Sequence, residues 1–254
     1  MVMQQTKSPA RSSLDRSLEG QRVVIIGGTS GFGMATAKAA SAEGASVIVA
    51  SSKKTNVDRV LAELPAGAEG HVLDITQESA VADFFSTVGE FDHLAVTAGE
   101  SLDLGEFAAI DLEKARRFFE VRFWGAVTAA KYAAKRIKST GSIVLTNGII
   151  GLRPQKGWVI AAGICGAVEA VTRALAIELA PVRVNLVCAG IVRTELWRNM
   201  TEPQRNGLFE KAGQALPVGR VGEPEDLADA YLYLMRERFS TGAMIVVDGG
   251  SRLV

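Results

Sequence analysis

Short β-branched runs alternate with longer helical stretches along this chain. RVVIIG (22–27), SVIVAS (46–51), GHVLDI (70–75), HLAVTA (93–98), SIVLT (142–146), VRVNLV (182–187) and AMIVVD (243–248) are apolar almost without interruption. Runs with little alternation of polar and apolar positions belong to strands covered on both faces. Helices are predicted between them over 34–43 and 56–64, with two long ones over 112–138 and 158–179. The last contains AAGICGAVEAVTRALAIELA, whose small residues let a neighbouring helix, the sheet or a second subunit approach closely. Such strand–helix alternation predicts an α/β fold: a single Rossmann-type doubly wound parallel sheet of about seven strands flanked by helices. The polar opening reads as a flexible arm over residues 1–19. No Pro/Gly-rich linker divides the rest, so 20–254 reads as one domain.

The turn after the first run is Gly27-Gly28-Thr29-Ser30-Gly31-Phe32-Gly33, and a helix follows. Glycines at 27, 31 and 33 permit a tight turn, close backbone approach and tight helix–strand packing. A helix start then offers unpaired N–H groups and a positive dipole end to a pyrophosphate. Gly27, Thr29, Ser30, Gly31, Phe32 and Gly33 are therefore candidate dinucleotide contacts. The end of the second run selects the cofactor. An NAD site places an acid there for the ribose 2′-hydroxyl, whereas this chain has Ser51, Ser52, Lys53 and Lys54. Hydroxyls and a lysine suit a 2′-phosphate, so NADP(H) is the expected cofactor, with Ser51, Ser52 and Lys53 holding it. The competing reading makes Lys53 and Lys54 ordinary solvated loop charges.

Composition narrows the classes. Among 254 residues, 28 Lys+Arg balance 28 Asp+Glu, which argues against a nucleic-acid surface. Two cysteines, Cys165 and Cys188, and two histidines, His71 and His93, supply neither a disulfide framework nor a metal cluster. No apolar run is read as a bilayer span or a signal core, and a cytoplasmic location without membrane attachment is expected.

From about Gln21 to Gly250 the chain resembles the short-chain dehydrogenase/reductase family. The glycine turn, Asp74 in LDIT and Thr97-Ala98-Gly99 carry the resemblance, with AIELAPVRVNLVCAGIVRTEL (176–196), PVGRVGEPEDLA (217–228) and TGAMIVVDGG (241–250). It implies that Asp74 and Ile75 flank the adenine, while Ala98, Gly99, Ile191 and Thr194 line the ribose and nicotinamide. It also implies a homodimer or homotetramer. The family's catalytic Asn, Ser, Tyr and Lys are missing. Their places fall on Arg122, on Gly148 or Asn147, on Ala161 and on Cys165. GGTSGFG, VRFWGA and the absent tyrosine–lysine pair resemble an atypical branch that includes fungal NADPH-dependent reductase/Diels–Alderases of malbrancheamide and paraherquamide biosynthesis.

Loss of the tyrosine matters because protonating a nascent alkoxide is worth about 10²–10⁴-fold. An iminium needs no such donor, since hydride addition gives a neutral amine and positioning does most of the work. The expected function is therefore an NADPH-dependent reductase of an iminium or similarly activated C=N substrate. The resemblance implies an indole-alkaloid intermediate and a templated cyclisation such as a Diels–Alder closure. Arg122 and Trp158 are the catalytic candidates: a permanent cation for a ribose, phosphate or carbonyl, and an aromatic face for a polycyclic or aromatic substrate. The competing reading pairs Arg122 with Glu120 or Glu169. Cys165 reads as an inert buried thiol, Phe123 and Trp124 as core or interface, and Trp197 as part of a mobile lid between Thr194 and Pro217. Two alternatives stay open: a non-catalytic NADP(H) sensor or scaffold, and a carbonyl reductase whose acid is relocated to Asp103, Glu106 or Glu195.

Overall fold

The computed structural model describes residues 17–100 and 105–254. The expected arm over residues 1–19 therefore lies mostly outside the described residues, as does Asp103. Seven parallel strands form one sheet in the order β3-β2-β1-β4-β5-β6-β7. They are β1 (Arg22–Ile26), β2 (Ser46–Ser51), β3 (Glu69–Val72), β4 (Phe91–Val96), β5 (Ile137–Gly148), β6 (Arg183–Ala189) and β7 (Met244–Val247). The connecting helices are α1 (Gly31–Ala42), α2 (Lys54–Leu61), α3 (Glu78–Val88), α4 (Leu112–Phe119), α5 (Gly125–Ala133), α6 (Val159–Glu178), α7 (Glu202–Ala215) and α8 (Pro224–Arg236).

The uninterrupted apolar runs serve two cores. Along β1, Val24 and Ile26 point into a layer with Phe84 and Phe85 of α3, Ala129 of α5 and Val168 of α6. Val23 and Ile25 point into the opposite layer with Ala37 of α1, Val60 of α2 and Tyr231 of α8. From Val23 to Ile26 each residue of the strand meets a hydrophobic face, and only Arg22 at its start reaches solvent.

Three expectations are corrected. The strand over 70–75 ends at Val72, because Asp74 Oδ1 accepts from the Thr76 backbone N–H at 3.0 Å and its hydroxyl at 2.7 Å, turning the chain out of the ladder. The single long helix over 112–138 is really α4, a π-helical turn over Glu120–Trp124, and α5. It stops at Ala133, and Lys138 lies on β5, with Nζ 3.0 Å from Asp92. Finally, α6 is by length and composition apolar enough to cross a membrane, which the reading of apolar runs overlooked. Here it packs against β5 and β6, with Ile164, Val168 and Ala176 in the sheet's core.

Candidate active site

A cavity of about 650 Å³ opens where β1 and β4 part company. That is the point at which strand order reverses, and the crevice there is where open α/β sheets bind ligands. Its walls come from the segments that follow the carboxyl ends of β1 to β6, and from α4, the π-helical turn, α6 and the segment after Thr194.

The glycine turn is shaped for a close-lying ligand. Gly27 has φ +92°, and a side-chain carbon there would sit 2.5 Å from the Ala98 nitrogen. α1 begins with Ser30 in extended conformation, no side chain caps its first turn, and no acid lies there. Those N–H groups and the dipole end fit an anion. Gly33 is corrected: it does not reach the cavity wall. A side chain there would collide with the Gly27 carbonyl and the Thr97 hydroxyl, so its function is packing helix against turn. Gly27, Thr29, Ser30, Gly31 and Phe32 do line the wall. So do Asp74, Ile75, Ala98, Gly99, Ile191 and Thr194.

At the end of β2, Ser51, Ser52 and Lys53 line the same cavity, joined by Asn56, which the sequence reading did not single out. Lys54 instead pairs with Asp58 at 2.7 Å one helical turn on, in full exposure. The two lysines thus divide between the two readings. Arg59, also unforeseen, donates to the Thr29 carbonyl at 2.8 Å and ties α2 to the glycine turn. Hydroxyls, an amide and a lysine with no carboxylate among them fit a ribose 2′-phosphate.

The chain's similarity to known proteins is extensive. A family model described as Enoyl-(Acyl carrier protein) reductase matches residues 27–252. The protein named Short-chain dehydrogenase/reductase ATR9 of Stachybotrys chlorohalonatus is 37% identical over 253 residues, covering 93% of this chain and 99% of that one. The chain belongs to the short-chain dehydrogenase/reductase family. Short-chain dehydrogenase/reductase malC of Malbranchea aurantiaca is 31% identical, over 97% of this chain and 99% of that relative. Two solved structures share the architecture. A small-chain dehydrogenase in complex with NADPH aligns with a TM-score of 0.83 and 38% identity, over 92% of this chain and 99% of its own. The MalC reductase/Diels–Alderase of Malbranchea aurantiaca aligns with a TM-score of 0.86 and 29% identity, over 94% and 100%. This protein is accordingly an oxidoreductase of the short-chain dehydrogenase/reductase type.

Within that family the part of the cavity at the catalytic positions is unusual. Arg122, Asn147, Gly148, Ala161 and Cys165, the positions of the missing catalytic set, all line the cavity. The Asn147 amide donates to the Cys165 carbonyl at 3.1 Å, and the Gly148 N–H reaches Cys165 Sγ at 3.3 Å. Burial pushes the Cys165 thiol upward, with the Gly148 contact and the Arg122 charge opposing. No base lies among those contacts, so the thiol is held in its unreactive form.

Arg122 sits in the π-helical turn, part-buried, and the desolvation of its guanidinium lowers its pKa from the usual value. It meets neither Glu120 nor Glu169. One guanidinium N–H donates to the Glu100 backbone carbonyl, the group lies 5.7 Å from the Phe118 ring centre, and Nε is buried without a partner. Gly99 makes this possible, since a side-chain carbon there would lie 2.7 Å from Nη1. Glu100 itself lines the cavity, and burial raises its carboxyl above the usual carboxylate range against the charges of Arg122, Arg117 and Arg198. It follows directly on Thr97-Ala98-Gly99, a placement that could have nominated it from the sequence.

Trp158 lines the cavity at the start of α6, its ring 6.4 Å from that of Trp197. Trp197 also lines the cavity; it is buried, donates from Nε1 to the Val192 carbonyl at 3.0 Å, and meets the Phe209 ring of α7 edge-on at 6.5 Å. Phe123 packs against the core, whereas Trp124 is about half exposed.

Proposed function

We propose that this protein is an NADPH-dependent reductase that adds hydride to an iminium or similarly activated C=N bond. The observation that carries the reading is what lines the cavity at the family's catalytic positions. Where the family keeps proton donors, Ala161 has no ionisable group, Cys165 is a worse acid than a free thiol, and Arg122 stays charged. A ketone would leave an oxyanion there; an iminium leaves a neutral amine.

NADPH, when bound, supplies the hydride from its nicotinamide. The residues around it have separable tasks. The glycine turn and the start of α1 bind the pyrophosphate, while Ser51, Ser52 and Lys53 hold the 2′-phosphate. Asp74 and Ile75 flank the adenine, and Ala98, Gly99, Ile191 and Thr194 enclose the nicotinamide end. Trp158 offers an aromatic face to a polycyclic or aromatic cation, and Arg122 orients the substrate and holds the turn carrying Glu100. Likeness to the Malbranchea protein supports an indole-alkaloid intermediate as substrate, with a templated cyclisation after reduction. Exposed apolar side chains on and beside α4, α5 and α6 (Leu112, Trp124 and Ile177) support a homodimer or homotetramer, to be weighed by light scattering.

A second reading, a carbonyl reductase with a relocated acid, has specific support. Glu195 lines the cavity as expected for that role, and so does Glu100. Glu106 does not; it is exposed, with Lys156 3.7 Å away. The two readings part on substrate. Deuterium from NADPH labelled at nicotinamide C4 is expected at the former iminium carbon of a cyclic iminium, read by mass spectrometry. Turnover of ketones with no transfer to any cyclic iminium would favour the carbonyl reading instead.

A further inference from the structure

We propose that Glu100 is a catalytic acid that protonates the nitrogen of a neutral imine and then remains as the counter-ion of the iminium it creates. This rests on the C=N reading above and adds a substrate class to it: imines that arrive uncharged.

The geometry has three parts. Glu100 follows β4 at the sheet's switch point, on the same cavity wall as Gly99, where the nicotinamide end is enclosed. Its backbone is held from the π-helical turn, because Arg122 donates to the Glu100 carbonyl and Gly99 leaves room for the guanidinium. Its carboxyl is part-buried beside the cavity, and among the described residues the Arg122 guanidinium bonds the Glu100 backbone carbonyl and not its carboxylate. The charged groups acting on it are Arg122 from the π-helical turn, Arg117 from α4 and Arg198 from beyond Thr194. Glu195 and Cys165 share its cavity. Burial outweighs the three arginines and keeps the proton on the carboxyl to higher pH than usual.

A carboxylic acid raised in this way suits an imine nitrogen, whose conjugate acid titrates nearer neutrality than an ordinary carboxylate does. The step balances. The Glu100 O–H bond breaks and an N–H bond forms, leaving a carboxylate and an iminium. Hydride from NADPH then adds to carbon, and the C=N π pair becomes the lone pair of a neutral amine. The cofactor is oxidised, the C=N bond is reduced, and the carboxylate recovers its proton from solvent. The arrangement also removes an objection to a cationic substrate in this cavity: ionised Glu100 offsets the like charge of Arg122 at the moment the iminium exists.

The test uses 3,4-dihydroisoquinoline, a neutral imine, and N-methyl-3,4-dihydroisoquinolinium, a permanent cation that needs no proton. With full-length protein and NADPH, Glu100→Gln is expected to lower kcat/KM on the imine by about 10²–10⁴-fold. On the N-methyl cation the loss is expected to stay within about tenfold, the scale of one lost charge contact. Without turnover, the absorbance of 3,4-dihydroisoquinoline bound to the cofactor-free protein should show the protonated form at a pH where the free imine is neutral. Glu100→Gln should abolish that shift. Equal losses on both substrates, or no loss on the imine with no absorbance shift in the wild type, would overturn the assignment. Failure of the wild type to reduce either compound would overturn the C=N reading itself, and the assignment with it.

Discussion

Arg122 and Lys53 show how far a residue's chemistry can be argued from its neighbours. Even a part-buried guanidinium is costly to desolvate, and here one backbone carbonyl and the Phe118 ring offset that cost, with Nε left over. A cation kept under such terms fits a functional position better than a structural one. Of the adjacent lysines, only Lys53 faces the cavity, because Lys54 already begins α2 and reaches forward to Asp58. Lys53→Asp is expected to raise KM for NADPH by about tenfold or more, the scale of one charged hydrogen bond exchanged for repulsion, while KM for NADH changes little. Equal effects on both cofactors in steady-state kinetics would remove Lys53 from 2′-phosphate recognition. The sequence pointed to Lys53 and Arg122 because each stands where the family carries a different residue. Glu100 was passed over although it directly follows Thr97-Ala98-Gly99, because its part-burial and charge environment become visible only in the structure.

Elements were legible where a single period ran unbroken. α6 was anticipated to within a residue at each end, and the strands over 22–27 and 46–51 nearly so. The stretch over 112–138 misled because helical periodicity persists through a π-helical turn and so conceals it. That turn, common at functional sites, carries Arg122 into the cavity wall, and Gly125 closes it against Ile75 and the Glu120 carbonyl. α3, α7 and α8 were not among the predicted helices, although prolines stand in the first turns of α7 and α8. One cross-element contact carries a pH signature. His93 on β4 lies 2.8 Å from the Ser142 hydroxyl on β5 and 2.6 Å from the side-chain amide oxygen Oε1 of Gln21 before β1. With Gln21 accepting from Nε2–H, the Ser142 hydroxyl donates to Nδ1, and the ring is neutral. Burial first, then the charges of Arg183 and Lys138, push its pKa from 6.5 down to about 4, with Asp92 opposing. The folded state therefore refuses a proton that the unfolded chain accepts, so stability is lost as pH falls from 6.5 towards 4, by about 3 kcal/mol at most. Urea unfolding at pH 7 and pH 4.5 should show a smaller fall for His93→Gln than for the wild type. Parallel falls would mean that His93 contributes nothing to the acid limb.

On the scale of the molecule, the strand order and the cavity at the switch point follow from the alternating pattern and the handedness of parallel crossovers. The resemblance put Arg122, Asn147, Ala161 and Cys165 at the catalytic positions, and the structure brings them, with Trp158, into one cavity from three separate stretches of chain. A cavity that binds a hydride source, lacks a donor at the family's catalytic positions and has Glu100 as counter-ion should favour an electrophile that is already cationic over a ketone. The most direct measurement is the ratio of kcat/KM for N-methyl-3,4-dihydroisoquinolinium to that for 1-tetralone, a ketone of similar shape, with NADPH and wild-type protein. The expected ratio is at least about 10², the lower end of what general-acid help is worth; a ratio near one, or in favour of the ketone, would contradict the reading.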